Sequence, residues 1–190
     1  MKKTLLLLII AMLSGAAFAA PFGLKMGMTL KEIEKNCDGK AVPIEKDAYF
    51  IKPLKSHPSF SEYYVFVDKK RGLYKIRAIT KPQKVNKYGT EIQTLFYNIK
   101  NRIAKTYGDP QIIDEIDQGS VFNKEEYWMY TLKDGARKLV AIWKGSSTSP
   151  DNLDGVYLSC EAESAYVAYL MLDYEFKNSN KVEDEQDSVF

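Results

Sequence analysis

Few side chains in this sequence have the chemistry to act on a substrate. His57, the sole histidine, stands in Ser56-His57-Pro58. An imidazole there would serve as a general base or a metal ligand. No second histidine exists to join it, so it reads as an exposed loop residue. Asp114, Glu115 and Asp117 cluster ahead of Gly119, while Asp173 and Glu175 lie on one face of a late strand. A carboxylate pair is the equipment of a glycosidase, at separations of roughly 5 Å or 6.5–9.5 Å. The Asp114 cluster would also suit a cation, but it lacks the D-x-[DN]-x-[DN]-G spacing of an EF-hand. The plainer reading of both groups is a solvated loop or sheet face. Lys69-Lys70-Arg71 would touch a phosphate or a lipid head group, and otherwise forms a solvated hairpin tip. G-x-S-x-G, H-E-x-x-H and the P-loop do not occur. No catalytic residue, metal ligand or cofactor site is assigned, and the expectation is a protein that is not an enzyme.

The start of the chain predicts export. Lys2 and Lys3 precede an apolar run from Leu5 to Leu13, followed by small residues and Ala17-Phe18-Ala19. That is the layout of a signal peptide over 1–19, cut after Ala19. The run is too short to span a bilayer, and no later one is longer, so stable membrane insertion is not expected. Removing Lys2 and Lys3 from the 27 basic residues leaves 25, equal to the 25 acidic ones. A neutral mature chain lacks the basic footprint of a nucleic-acid binder. In a periplasmic or secreted setting, the only two cysteines, Cys37 and Cys160, are expected to form one disulfide.

Aromatic residues are the strongest functional signal, with 13 Tyr, 9 Phe and 2 Trp. Tyr127, Trp128, Tyr130, Trp143, Tyr157 and Tyr169 fall on predicted strands and form the candidate binding face. Such rings bury large area while keeping a polar tip, which suits a protein interface. They equally suit a core.

The elements that must carry these residues are legible in outline. Thr29 and Glu32 form a capping box, and Met28 and Ile33 a hydrophobic staple, for a helix of about two turns stopped at Asp38-Gly39. Its face carries Leu30, Ile33 and Cys37. Strands follow at 48–51, 62–68 and 73–80, the last two joined by a polar turn. A long helix is predicted over 90–107, with Thr90 and Gln93 as a second capping box and Gly108 and Pro110 as its stop. Asp134-Gly135 predicts a hairpin of strands 126–133 and 136–144. A final strand pair covers 153–161 and 165–176, with Cys160 on the apolar face of the first. Residues 177–190 read as a polar acidic tail that frays.

The expected fold is therefore α+β: a mostly antiparallel sheet of about seven strands with two helices packed on one side. One domain spans 20–176, with tandem helix-plus-sheet halves at 20–85 and 86–176. Two helices cannot cover both faces of so many strands. Either two sheets face each other, or one sheet presents an aromatic surface.

The stretch from Phe22 to Ile33, with Gly27-Met28-Thr29 leading into Glu32-Ile33 directly after a leader, resembles two related groups of bacterial envelope proteins. One is the small lipoprotein of the outer-membrane β-barrel assembly machinery. The other is the β-lactamase inhibitory protein group, built from tandem helix-plus-sheet modules. The resemblance implies α+β structure, an envelope location and function by protein–protein contact without catalysis. It covers about twelve residues, and the chain lacks the lipoprotein's lipidation Cys, so no functional residue carries over. The expectation is a non-catalytic inhibitor or accessory protein with an exported or envelope protein as partner. A carboxylate-based hydrolase of cell-wall or glycan substrate and a small-ligand or lipid carrier are the alternatives.

Overall fold

A computed structural model of the chain describes residues 20–146 and 149–182. The expected leader at 1–19 lies outside the described residues, as does 183–190 of the expected tail. The first helix, α1 (Leu30–Glu34), carries the predicted capping box: the Thr29 amide donates to Glu32 Oε2 at 2.8 Å, and the Glu32 amide donates to Thr29 Oγ1 at 3.4 Å. Just before it, the chain docks on the sheet. The Gly27 amide donates to the Leu73 carbonyl and the Leu73 amide to the Met28 carbonyl, each at 2.9 Å. This approach depends on Gly72, where a Cβ would collide with the Gly27 carbonyl.

Four strands follow: β1 (Val42–Pro43), β2 (Ala48–Ile51), β3 (Phe60–Asp68) and β4 (Gly72–Thr80). The Asp68 carboxylate accepts from the Lys70 and Arg71 amides and so sets the turn between β3 and β4. A short β5 (Gln83–Lys84) leads to the long helix α2 (Thr90–Tyr107), which buries Ile92, Phe96, Ile99 and Ile103. Its bounds match those predicted, but its cap does not. Gly89 is the N-cap, and the Asn86 side chain accepts from the Tyr88 and Thr90 amides.

Beyond α2 come β6 (Gln111–Ile116), α3 (Trp128–Lys133), β7 (Arg137–Lys144), β8 (Leu153–Ser164) and β9 (Val167–Phe176). The sheet runs β1-β2-β3-β4-β9-β8-β7-β6, with β5 pairing β9, and every pairing is antiparallel. Two four-stranded meanders, β1–β4 and β6–β9, thus meet at their last strands. One hydrophobic cluster runs across both, from Leu24 and Ile33 through Ile76, Leu172 and Leu158 to Leu139 and Trp143. This is the α+β, one-sided architecture expected from the sequence, with more strands and an extra helix.

Three expectations are corrected. Residues 126–133 are not a strand: Glu125–Tyr127 form a 3-10 turn that runs into α3. The buried residues there, Trp128, Met129, Thr131 and Leu132, follow helical spacing rather than alternation. Gly135 stops that helix at φ 81°, its amide donating to the Leu132 carbonyl. A helix stop and a hairpin turn both call for glycine at positive φ, so Asp134-Gly135 signals either. Second, Cys37 and Cys160 are free thiols, not a disulfide. Helix α1 ends before Cys37, which forms an isolated bridge with Pro53 just past β2, whereas Cys160 pairs with Leu170. Along the sheet, β3, β4 and β9 stand between β2 and β8. Strands are spaced by about 4.8 Å and a disulfide spans Cα atoms only roughly 4.4–6.8 Å apart. Third, the chain after β9 does not fray at once. Asn178 Nδ2 donates to the Arg71 and Leu73 carbonyls, and Ser179 and Val182 are buried.

Candidate functional site: the open face of the sheet

Strand alternation gives the sheet two unlike faces. Tyr63, Val65, Ile76, Ala78, Leu170, Leu172, Leu158 and Ala141 point into the helix-covered core. The alternate positions carry Phe50, Tyr64, Phe66, Tyr157, Tyr169, Met171 and Ile142, all half-buried. On this second face the fully buried positions are Asp173 and the small residues Ala48 and Gly155. The face is therefore apolar and aromatic across five strands, and no described helix lies over it.

Its centre is ionic. Arg77 on β4 faces Asp173 on β9 and Lys75 faces Glu175. Arg77 Nε donates to Asp173 Oδ1 at 2.8 Å and Nη2 to Oδ2 at 2.7 Å. Lys75 Nζ lies 3.0 Å from Asp173 Oδ2 and 2.9 Å from Glu175 Oε1. Burial alone would lower the Lys75 ammonium, but the two carboxylates hold it above its usual value. The four charges cancel, and both carboxylates are engaged by cations.

Aromatic rings border this centre. The Phe66 ring has Lys75 Nζ and Arg77 Cζ each 5.9 Å from its centroid. Phe50 meets Tyr64 edge-on at 5.8 Å, and the Tyr64 hydroxyl donates to Glu62 Oε2 at 2.6 Å. Across β9, Tyr157 faces Asp173 and Tyr169 faces Glu161. Tyr157 lies on Gly155, where a Cβ would stand 2.6 Å from its hydroxyl oxygen. The arrangement buries rings and presents polar tips at their rims. It is fit for recognition and carries no nucleophile paired to a base.

Of the six aromatic residues expected to form a binding face, only Tyr157 and Tyr169 lie here. Trp143 points into the core, its Nε1 donating to the Gly108 carbonyl at 2.7 Å and so closing the end of α2. Trp128 is 6% exposed and packs on Gly89, with Arg137 5.7 Å above its ring. Tyr127 and Tyr130 lie on the other side of the molecule, in contact with Phe122 at 5.1 and 4.9 Å. Phe50, Tyr64 and Phe66 were missed as face residues. For Tyr64 and Phe66 the signal is their alternation with Tyr63, Val65 and Val67, which separates the two faces of β3, whereas Phe50 joins them only through the pairing of β2 with β3.

The other chemistry-bearing residues are dispersed. Asp114 sits on edge strand β6 and accepts from Arg137 Nη1 at 2.8 Å. The Lys69–Arg71 run forms the β3–β4 turn. His57 is in a loop, as expected, but half-buried. Its backbone amide and carbonyl both bond the Tyr63 hydroxyl. No helix among the described residues is long and apolar enough to cross a membrane.

Comparisons with protein-family models, curated proteins and solved structures returned no match. The class defined by fold and site is thus an α+β protein whose described helices cover one sheet face and, among the described residues, leave the other, aromatic face open.

Proposed function

We propose that this chain is an exported, non-catalytic protein-binding protein of the bacterial envelope, an inhibitor or accessory factor. It acts by burying its open sheet face against another exported protein. The observation that carries this reading is the uncovered set Phe50, Tyr64, Phe66, Tyr157 and Tyr169 around a charge-neutral centre. Aromatic residues, Met and Arg are enriched at interface cores, and here the four central charges are already paired within the face, so a partner need not compensate them. The leader-like start of the chain and the Gly27–Ile33 resemblance support an envelope setting.

A direct test is partner capture. The protein and a Phe66→Ser/Tyr169→Ser variant are compared for retention of a specific protein from an envelope extract, with fold checked by circular dichroism. The reading expects one partner bound by the parent and lost by the variant. Equal capture by both would contradict it.

One observation favours a second reading, a glycan hydrolase. Asp114 and Glu125 line a cleft of about 500 Å³ together with Trp128, Tyr88 and Arg137. Two carboxylates lining one aromatic-bordered cleft are the residue types that sugar cleavage uses. That reading expects release of soluble fragments from peptidoglycan, abolished in Asp114→Asn. The intact ion pair of Asp114 with Arg137 weighs against it.

A further inference from the structure

On the helix side of the sheet, remote from the open face, α2 and the N-terminal turn border a cleft of about 230 Å³. Its walls are Phe22, Phe60, Ile99, Ile103, Leu172 and Tyr174. Phe22 anchors them, meeting Tyr63 at 4.9 Å, Tyr174 at 5.9 Å and Phe60 at 6.3 Å, all edge-on. It does so from a left-handed backbone, φ 55° and ψ 19°, which few non-glycine residues adopt.

The charged rim of this cleft has one sign. Arg102 and His57 line it, and no carboxylate does. Arg102 is exposed and takes part in no ion pair or hydrogen bond among the described residues. The Ser59 amide donates to His57 Nδ1 at 3.2 Å, which places the proton of the neutral ring on Nε2 and makes it a donor. Burial and the positive Arg102 both favour that neutral ring. An apolar slot with a single unpaired guanidinium at its mouth is complementary to an anion carrying an apolar body. A guanidinium holds a carboxylate with two parallel hydrogen bonds. The volume is below the roughly 300–1,000 Å³ of sites for drug-sized ligands, which limits the occupant to a small molecule.

We propose that this cleft is a binding site for a small apolar carboxylic acid, its carboxylate on Arg102 and its body against Phe22, Phe60, Ile103 and Leu172. The inference is independent of the protein-binding role, because the two sites occupy opposite faces of the sheet.

The test is an amide-resolved NMR titration of the protein with 3-phenylpropionate, run beside the uncharged 3-phenylpropan-1-ol. The expected result is saturable shifts at Phe22, Ile103, Tyr107 and Leu172, with the acid binding more tightly than the alcohol. Arg102→Gln, a change at an exposed residue, should weaken the acid at least about tenfold and leave the alcohol unchanged. Shifts confined to other regions, equal affinity for acid and alcohol, or unchanged acid binding in Arg102→Gln would overturn the proposal. So would the absence of saturable shifts at about 10 mM acid.

Discussion

Arg77 and Asp173 face each other across the seam between the two meanders, joined by parallel hydrogen bonds of 2.8 and 2.7 Å. Theirs is the middle pair of the five by which β4 and β9 are registered. Asp173 is 7% exposed, so its charge depends on Arg77 and Lys75 for compensation. The pair fixes the register of the junction, and with it which residues of the two halves share the open face. A slip of one residue would send the aromatic positions to the core side.

Arg77→Met should therefore destabilise the fold by about 2–3 kcal/mol, less than a full loss of compensation because Lys75 remains. Urea unfolding would show it as a lower midpoint. Arg77→Met/Asp173→Leu should recover most of the loss, since no unpaired buried charge is left. A single variant as stable as the parent would show that the pair does not hold the seam.

Gly89 is a second point of control, on the core side. Its φ is 65° and a Cβ there would collide with the Trp128 ring. Gly89→Ala should cost about 3 kcal/mol from combined backbone strain and overpacking. A fall of about 10 °C in Tm by calorimetry is expected. An unchanged Tm would contradict the packing of Trp128 on the start of α2.

The contrast between Trp128 and Tyr169 shows what was legible in the sequence. Helix α2 was readable to its ends because Ile92, Phe96, Ile99 and Ile103 repeat at helical spacing over many turns. The β3–β4 and β8–β9 pairs were readable because their alternation is long. Tyr127 to Leu132 was misread because six residues rich in aromatic side chains satisfy strand propensity while tertiary packing selects a helix. Strand β6 was hidden by Asp114 and Glu115, charges that protect an exposed edge and read as a loop. Asp173, Glu175, Lys75 and Arg77 were each visible as strand residues. That they meet depends on the order in which the meanders join, and no local pattern encodes it.

The thiols give a simple check. Two thiols per chain should titrate in denaturant without reductant. In the folded protein the half-buried Cys37 should react first, whereas burial pushes the Cys160 thiol up and shields it. Fewer than two thiols in denaturant would mean a bridge.

Acid should weaken the fold in part through His57. Burial, then the charge of Arg102, holds its imidazole below the ordinary value. Well above about pH 6.5 the ring is neutral in both states and this contribution is intact. As pH falls from about 6.5 through the lowered folded value, the unfolded chain takes up a proton that the folded one does not. Stability then declines, by at most about 1.4 kcal/mol per pH unit for one proton. Urea midpoints between pH 7.5 and 5.5 should fall less steeply in His57→Gln. Identical slopes would contradict the assignment.

The open face itself is tested most directly by site-specific photo-cross-linking in the exporting cell. A photoreactive residue replaces Phe50, Tyr157 or Tyr169 on the open face, or Tyr97 on the outer side of α2. One discrete adduct with a second exported protein is expected from the three face positions and none from Tyr97. No adduct from the face, or the same adduct from Tyr97, would contradict the proposed binding role.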